Sequence, residues 1–112
     1  MVIDYNDFLR LDICVGLVQS CESVPKSRNL YKLMVDCGDK GIRQIITGIS
    51  KFYSPKDLIH EKLIILTNLK PRKIMGLLSE GMILAADVDN EPFLLKLDEN
   101  KSNHVSPGAR IK

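Results

Sequence analysis

The sequence predicts an all-β fold: a small five-stranded barrel with one short helix and a β extension at the end. Three observations lead there. Five short segments alternate apolar and β-branched residues with polar ones at a period of two. Glycine- and proline-bearing stretches separate those segments. The one clear helix signal lies between the third and fourth of them.

Residues 1–11 form a polar lead-in, with a helical turn expected around Asn6 to Leu9. The first strand is expected from Asp12 to Glu22. There Ile13 and Val15 alternate with Cys14, Gly16 interrupts, and Val18 takes over the inward face. Such a phase slip at a glycine marks a bulge, which lets a strand bend around a strongly coiled barrel. Residues 23–29 carry Pro25, Lys26 and Arg28 and read as a loop.

The second strand is expected from Leu30 to Cys37, with Leu33, Val35 and Cys37 on one face and Lys32, Met34 and Asp36 on the other. Gly38 to Gly41 (GDKG) then makes a turn, so that the third strand, Ile42 to Ile49, folds back as a hairpin. Ser54 to Ile59 announces the helix. Ser54 caps it, Pro55 suits the first helical position, and Asp57 places a carboxylate in the first turn. Tyr53 and Leu58 are spaced for a hydrophobic staple.

The fourth strand is expected from Lys62 to Asn68 and the fifth from Met82 to Asp87. Between them lies NLKPRKIMGLLSEGM, Asn68 to Met82. It reads as a loop with Lys70, Arg72 and Lys73 packed around Pro71, which suggests a fixed site for an anion. The tail adds strand material from Phe93 to Leu97 and a turn at Pro107-Gly108. This element order is that of an OB-fold barrel with a short helix between strands three and four. The barrel is expected over about residues 1–87 of a single domain, with residues 88–112 as a C-terminal β extension.

At 112 residues and 12.6 kDa there is no room for a second core. No apolar run approaches the ~18 residues of a membrane helix, and Asp4, Asp7 and Arg10 stand where a signal peptide needs an apolar core. A cytoplasmic protein without a membrane partner is therefore expected. Three cysteines (Cys14, Cys21, Cys37) without CxxC spacing read as free, mostly buried thiols. His60 and His104 are too isolated to build a zinc site. No phosphate-cradling GxxxxGK and no nucleophile elbow is present. Glu80 beside Ser79 reads as a hydrogen-bond acceptor or a solvated charge. Neither an enzyme nor a cofactor is expected.

The charge is sorted along the chain. From Lys26 to Lys73 there are eleven basic and four acidic residues, a balance of +7; the rest holds five basic and ten acidic, a balance of −5. Such sorting points to a basic face for a polyanion. OB-folds bind ligands on strands two and three and on the loops joining strands one to two and four to five. Both loops are basic here, and both flank the outward Lys32. Arg43 and Lys51 join the candidate set by location.

The segments Asp12-Ile-Cys-Val-Gly16, Leu30-Tyr-Lys-Leu33, Arg43-Gln-Ile-Ile-Thr-Gly-Ile49, Phe52-Tyr-Ser-Pro55, Asn68-Leu-Lys-Pro-Arg-Lys73 and Ser79-Glu-Gly-Met82 occur in this order. Together they resemble the OB-fold tRNA-binding domain. That domain is appended to methionyl-tRNA synthetases, occurs in endothelial monocyte-activating polypeptide, and stands alone in structure-specific tRNA-binding proteins. The resemblance implies a homodimer built through the region after strand five. It implies binding of the outer corner of tRNA without reading sequence, and a methionyl-tRNA synthetase as a further partner. By position it implies roles in tRNA binding for Ser79, Met82, Asn68, Lys70, Arg72 and Lys73. Two positions depart from the family: Cys14 stands where arginine is usual, and Asn29 where lysine is usual. The related CsaA-type chaperones, dimers that hold unfolded chains in an apolar groove, supply the alternative.

Overall fold

The computed structural model, which describes residues 1–112, begins with one helical turn, α1 (Tyr5–Phe8), and the long strand β1 (Ile13–Ser23). β2 (Tyr31–Asp36) and β3 (Ile42–Thr47) follow as a hairpin, then the short helix α2 (Pro55–Leu58) and β4 (Lys62–Leu66). β5 (Arg72–Ile74) and β6 (Leu77–Ser79) pair with each other. β7 (Met82–Ile83) returns to β4, and β8 (Ala85–Val88) pairs with β9 (Glu91–Leu94). The main sheet is antiparallel in the order β3-β2-β1-β4-β7, and it coils until β3 meets β6 and β7 again. This is a nearly closed, OB-like barrel.

The second hairpin follows the expected alternation. Tyr31, Leu33, Val35 and Cys37 point into the barrel, and each β2 residue meets its β3 partner in regular register from Tyr31↔Thr47 to Asp36↔Ile42. α2 is capped as its sequence dictates. The Asp57 carboxylate accepts from both the Ser54 amide (2.8 Å) and the Ser54 hydroxyl (2.9 Å), and Leu58 is fully buried.

β1 departs from expectation in its inward face. Cys14 and Val18 pack inside the barrel with Leu33, Val35, Ile45 and Ile65. Ile13 and Val15 lie on the opposite face, in a second cluster with Ile64 and Leu66 that Phe8, Leu84, Leu97, Val105 and Ile111 cover. The C-terminal segment is the physical reason. It returns along β1, where Ile111 donates to the Ile13 carbonyl, Val15 to Ala109, and Gly108 to Val15. β1 over Ile13–Gly16 and β4 over Leu63–Leu66 are thus buried on both faces, which is why these two runs carry no polar side chain.

Gly16 is not the bulge. A Cβ there would sit 2.5 Å from Val35 Cγ1 and 2.7 Å from Ile65 Cγ1, so the missing side chain lets opposite walls of the barrel approach. The register shift lies between Val18 and Ser20, leaving Gln19 as the extra residue. It falls where β1 finishes pairing with β4 and continues along β2 alone.

Two further hairpins replace expected loops and strands. The stretch between β4 and β7 is β-structured, with Met75 (φ 52°) and Gly76 (φ 78°) as its two-residue turn. The expected fifth strand splits at Leu84, because β8 leaves the barrel to pair with β9 across Asp89 (φ 51°) and Asn90 (φ 69°). The tail strand accordingly covers Glu91–Leu94 rather than Phe93 to Leu97. Tyr53 ties this hairpin to the barrel: its hydroxyl donates to the Pro92 carbonyl (3.1 Å) and accepts the Leu94 amide (3.2 Å). No helix is long and apolar enough to cross a membrane.

Candidate nucleic-acid interface

The barrel closes through side chains and a single backbone hydrogen bond rather than through a strand ladder. Ile46 on the edge of β3 donates its N–H to the Ser79 hydroxyl at 3.0 Å. Glu80 donates its amide to the Gln44 carbonyl at 2.7 Å, and the Gln44 side-chain amide reaches the Leu78 carbonyl at 2.9 Å. Ser79 is 7% exposed, Ile46 6%. The Ser-Glu-Gly segment therefore seals the seam between the two ends of the sheet.

Beside that seam lies a cavity of about 100 Å³. Its walls include Ile46, Leu69, Ile74, Ser79 and Met82, and Lys70 and Arg72 stand at its rim. Pairing within the small hairpin decides which cations face it. Arg72 stands opposite Ser79 and Ile74 opposite Leu77, so both share the cavity face, while Lys73 stands opposite the exposed Leu78 on the other face. Lys70, Arg72 and Lys73 are exposed and engage in no ion pair. Met82, at 45% exposure, opens β7 at the cavity edge instead of being buried.

The remaining expected residues divide between solvent and scaffold. Arg43 shares a face with Ile45 and pairs with the buried Val35, so it plugs one end of the barrel. Its guanidinium donates to the carbonyls of Lys40 (3.2 Å), Thr67 (3.1 Å) and Glu80 (3.2 Å), which removes it from the outward ligand face. Asn68 is likewise tied down: its carbonyl accepts the Asp12 amide (2.8 Å) and its amide donates to the Arg10 carbonyl (2.7 Å). Lys32 is half-buried on the outward face of β2, 4.0 Å from Glu22.

Asn29 and Lys51 are brought together at the other end of β3. The Ser50 amide donates to the Asn29 carbonyl at 3.2 Å, and the Ser50 hydroxyl lies 3.5 Å from the Arg28 carbonyl. Arg28, Asn29 and Lys51 are all exposed there. Cys14, where the family has arginine, is 1% exposed and lies against Cys37 in the core, so no surface charge is lost at that position.

Gln44, Leu69 and Ile74 are site residues that sequence reasoning missed. The signal for Ile74 was present: Lys73-Ile-Met-Gly-Leu-Leu78 sets apolar residues on both sides of a glycine that suits a two-residue turn. Elsewhere, Lys40 meets the Asp12 carboxylate, and this contact holds the carboxyl below its ordinary range. Burial pushes Cys21 up to about 11 and Cys37 up to about 12. No cluster of histidines, cysteines or carboxylates could hold a metal ion.

Over residues 13–108 the sequence matches the family described as "Putative tRNA binding domain". It is 44% identical over 111 residues to a methionine–tRNA ligase of Methanocaldococcus jannaschii, covering 98% of this chain and 16% of that protein. A methionine–tRNA ligase of Clostridium acetobutylicum is 48% identical over 96 residues, 86% of this chain and 15% of that protein. The chain thus spans about one-sixth of the length of these relatives. Among solved structures, the MetRS-related protein of Pyrococcus horikoshii superposes with a TM-score of 0.89 at 34% identity, covering 100% of this chain and 99% of that one. The chaperone CsaA of Bacillus anthracis gives 0.86 at 27% identity, with both chains covered completely.

Proposed function

The chain belongs to the tRNA-binding domain family, and from that premise we propose that it binds tRNA through the β3 edge, the β5–β6 hairpin and the loop before β2. The observation that carries this reading is the pair Lys70 and Arg72. Both are exposed, free of carboxylate partners, and fixed by the hairpin and Pro71 at the rim of one cavity. Arg28 and Lys51 extend the positive surface past the end of β3, with Lys32 beside them. Cations of this kind hold phosphates and follow the shape of a folded RNA without identifying bases, so unrelated tRNAs are bound alike. The domain acts as a non-catalytic binding module in the cytoplasm.

Two partners accompany this reading. A homodimer forms through the β8–β9 region, whose exposed Val88, Phe93 and Leu95 offer apolar surface. A monomer in light scattering at micromolar concentration contradicts it. A methionyl-tRNA synthetase is the second partner, suggested by the relatives above, and co-purification of the two chains tests it.

The binding experiment is a gel shift with several unrelated tRNAs beside a DNA duplex. Equal retardation of the tRNAs, with the duplex left free, supports the reading; retention of one tRNA alone contradicts shape-based binding. A second reading, a CsaA-like chaperone for unfolded polypeptides, is favoured by the exposed Leu69 and Met82 at the same cavity, with Met75 and Leu78 exposed elsewhere on the adjoining hairpin. Competition decides between them: an unfolded chain that displaces tRNA, and binds more tightly, supports the chaperone.

A further inference from the structure

We propose that the cavity beside Ser79 takes one unstacked pyrimidine base of the bound RNA, an inference that rests on the tRNA-binding reading above. Size selects the guest. At about 100 Å³ the cavity is well below the 300–1,000 Å³ of sites for whole small-molecule ligands, and nearer the scale that holds a single six-membered ring. A pyrimidine ring is of that scale, whereas a purine would have to leave its second ring outside the cavity.

The walls suit a flat, weakly polar guest. Ile74, Leu69 and Met82 supply apolar surface for the ring faces, as unstacked bases require when they leave a helix. The inner edge is polar. Ile46 turns its N–H away from β2 toward Ser79, so its carbonyl lies on the same outer edge of β3. That carbonyl can accept from uracil N3–H or from the cytosine amino group. The rim supplies the opposite charge to what must accompany a nucleotide: Lys70 and Arg72, both without acidic partners, are placed for the adjoining phosphate. An apolar peptide side chain would use the walls but leave these two cations unmatched.

The test uses the full chain and a tRNA transcript in which each unpaired pyrimidine is replaced in turn by an abasic nucleotide, leaving every phosphate in place. One position is expected to lose about tenfold in affinity, the scale of removing one stacked base. Adenosine at that position should lose a similar factor. In the Ile74→Phe variant, which fills the cavity, parent and abasic RNA should bind equally. Met82→Ala, at a half-exposed position, removes one wall and should narrow the difference between parent and abasic RNA, which serves where the phenylalanine variant does not fold.

If intact tRNA binds with normal salt dependence but no abasic position weakens it, the base pocket is overturned and the binding reading stands. If tRNA is not bound at all, both fall. A loss that persists unchanged in both variants, or adenosine binding as tightly as uridine, also overturns the pocket. So does a variant that weakens only the binding of unfolded polypeptide.

Discussion

The Ser79 hydroxyl accepts the Ile46 amide hydrogen at 3.0 Å and stands in for a ladder bond where the barrel would otherwise stay open. Both residues are buried. Ser79→Ala therefore orphans a buried N–H, and such a loss costs about 1–3 kcal/mol. Urea unfolding should show a lower midpoint with an unchanged slope. An unchanged midpoint would mean that water replaces the hydroxyl and that the seam does not depend on it.

Arg43 separates scaffold from interface. It satisfies three carbonyls from inside one barrel end, so Arg43→Gln should lower stability by about 1–3 kcal/mol. The salt dependence of tRNA binding should stay as in the parent, because no phosphate contact is lost. A reduced slope with unaltered stability would return Arg43 to the RNA face.

The Asp12–Lys40 pair predicts an acid window. Hydrogen bonding to Lys40 lowers the folded-state pKa of Asp12 beneath its ordinary value of 3.8. The stabilisation is therefore complete above that value and disappears as pH falls through the lowered one. Lys40→Met should destabilise at neutral pH, and the difference from the parent should vanish in strong acid. A constant difference across the titration, followed by thermal unfolding, contradicts the pairing.

The thiols should be inert in the native state. Burial raises Cys21 to about 11 and Cys37 to about 12, and also raises Cys14, so little thiolate exists at pH 8. An Ellman titration should give slow reaction until denaturant releases all three. Rapid reaction of even one native thiol would show that its burial is incomplete.

Much of this fold is legible in the sequence wherever one residue type has one job. The alternation of Leu33, Val35 and Cys37, the GDKG turn and the Ser54-Pro55 start all follow from local chemistry. What is not legible depends on distant chain. Ile13 and Val15 point out of the barrel because residues 108–111 return to cover them, and no local pattern announces that. The Met75-Gly76 turn was hidden because methionine rarely takes a positive φ, although Gly76 beside it was a usable cue. Arg43 was readable from its parity, two residues before the inward Ile45, but its charge drew it to the surface face. The cations at positions 70 and 72 are legible from their grouping around Pro71 between two strands and from the family motif, whereas the cavity they guard required the hairpin.

The salt dependence of tRNA affinity, measured for the parent and for Lys70→Ala/Arg72→Ala, tests the central claim most directly. With about five phosphates neutralised, log affinity should fall against log salt with a slope of roughly −3.5 to −4.5. The double variant should bind every tRNA more weakly and shed about 1.4 to 1.8 of that slope, two phosphate contacts' worth. A parent slope near zero, or a double variant with the parent's slope and affinity, would contradict the account.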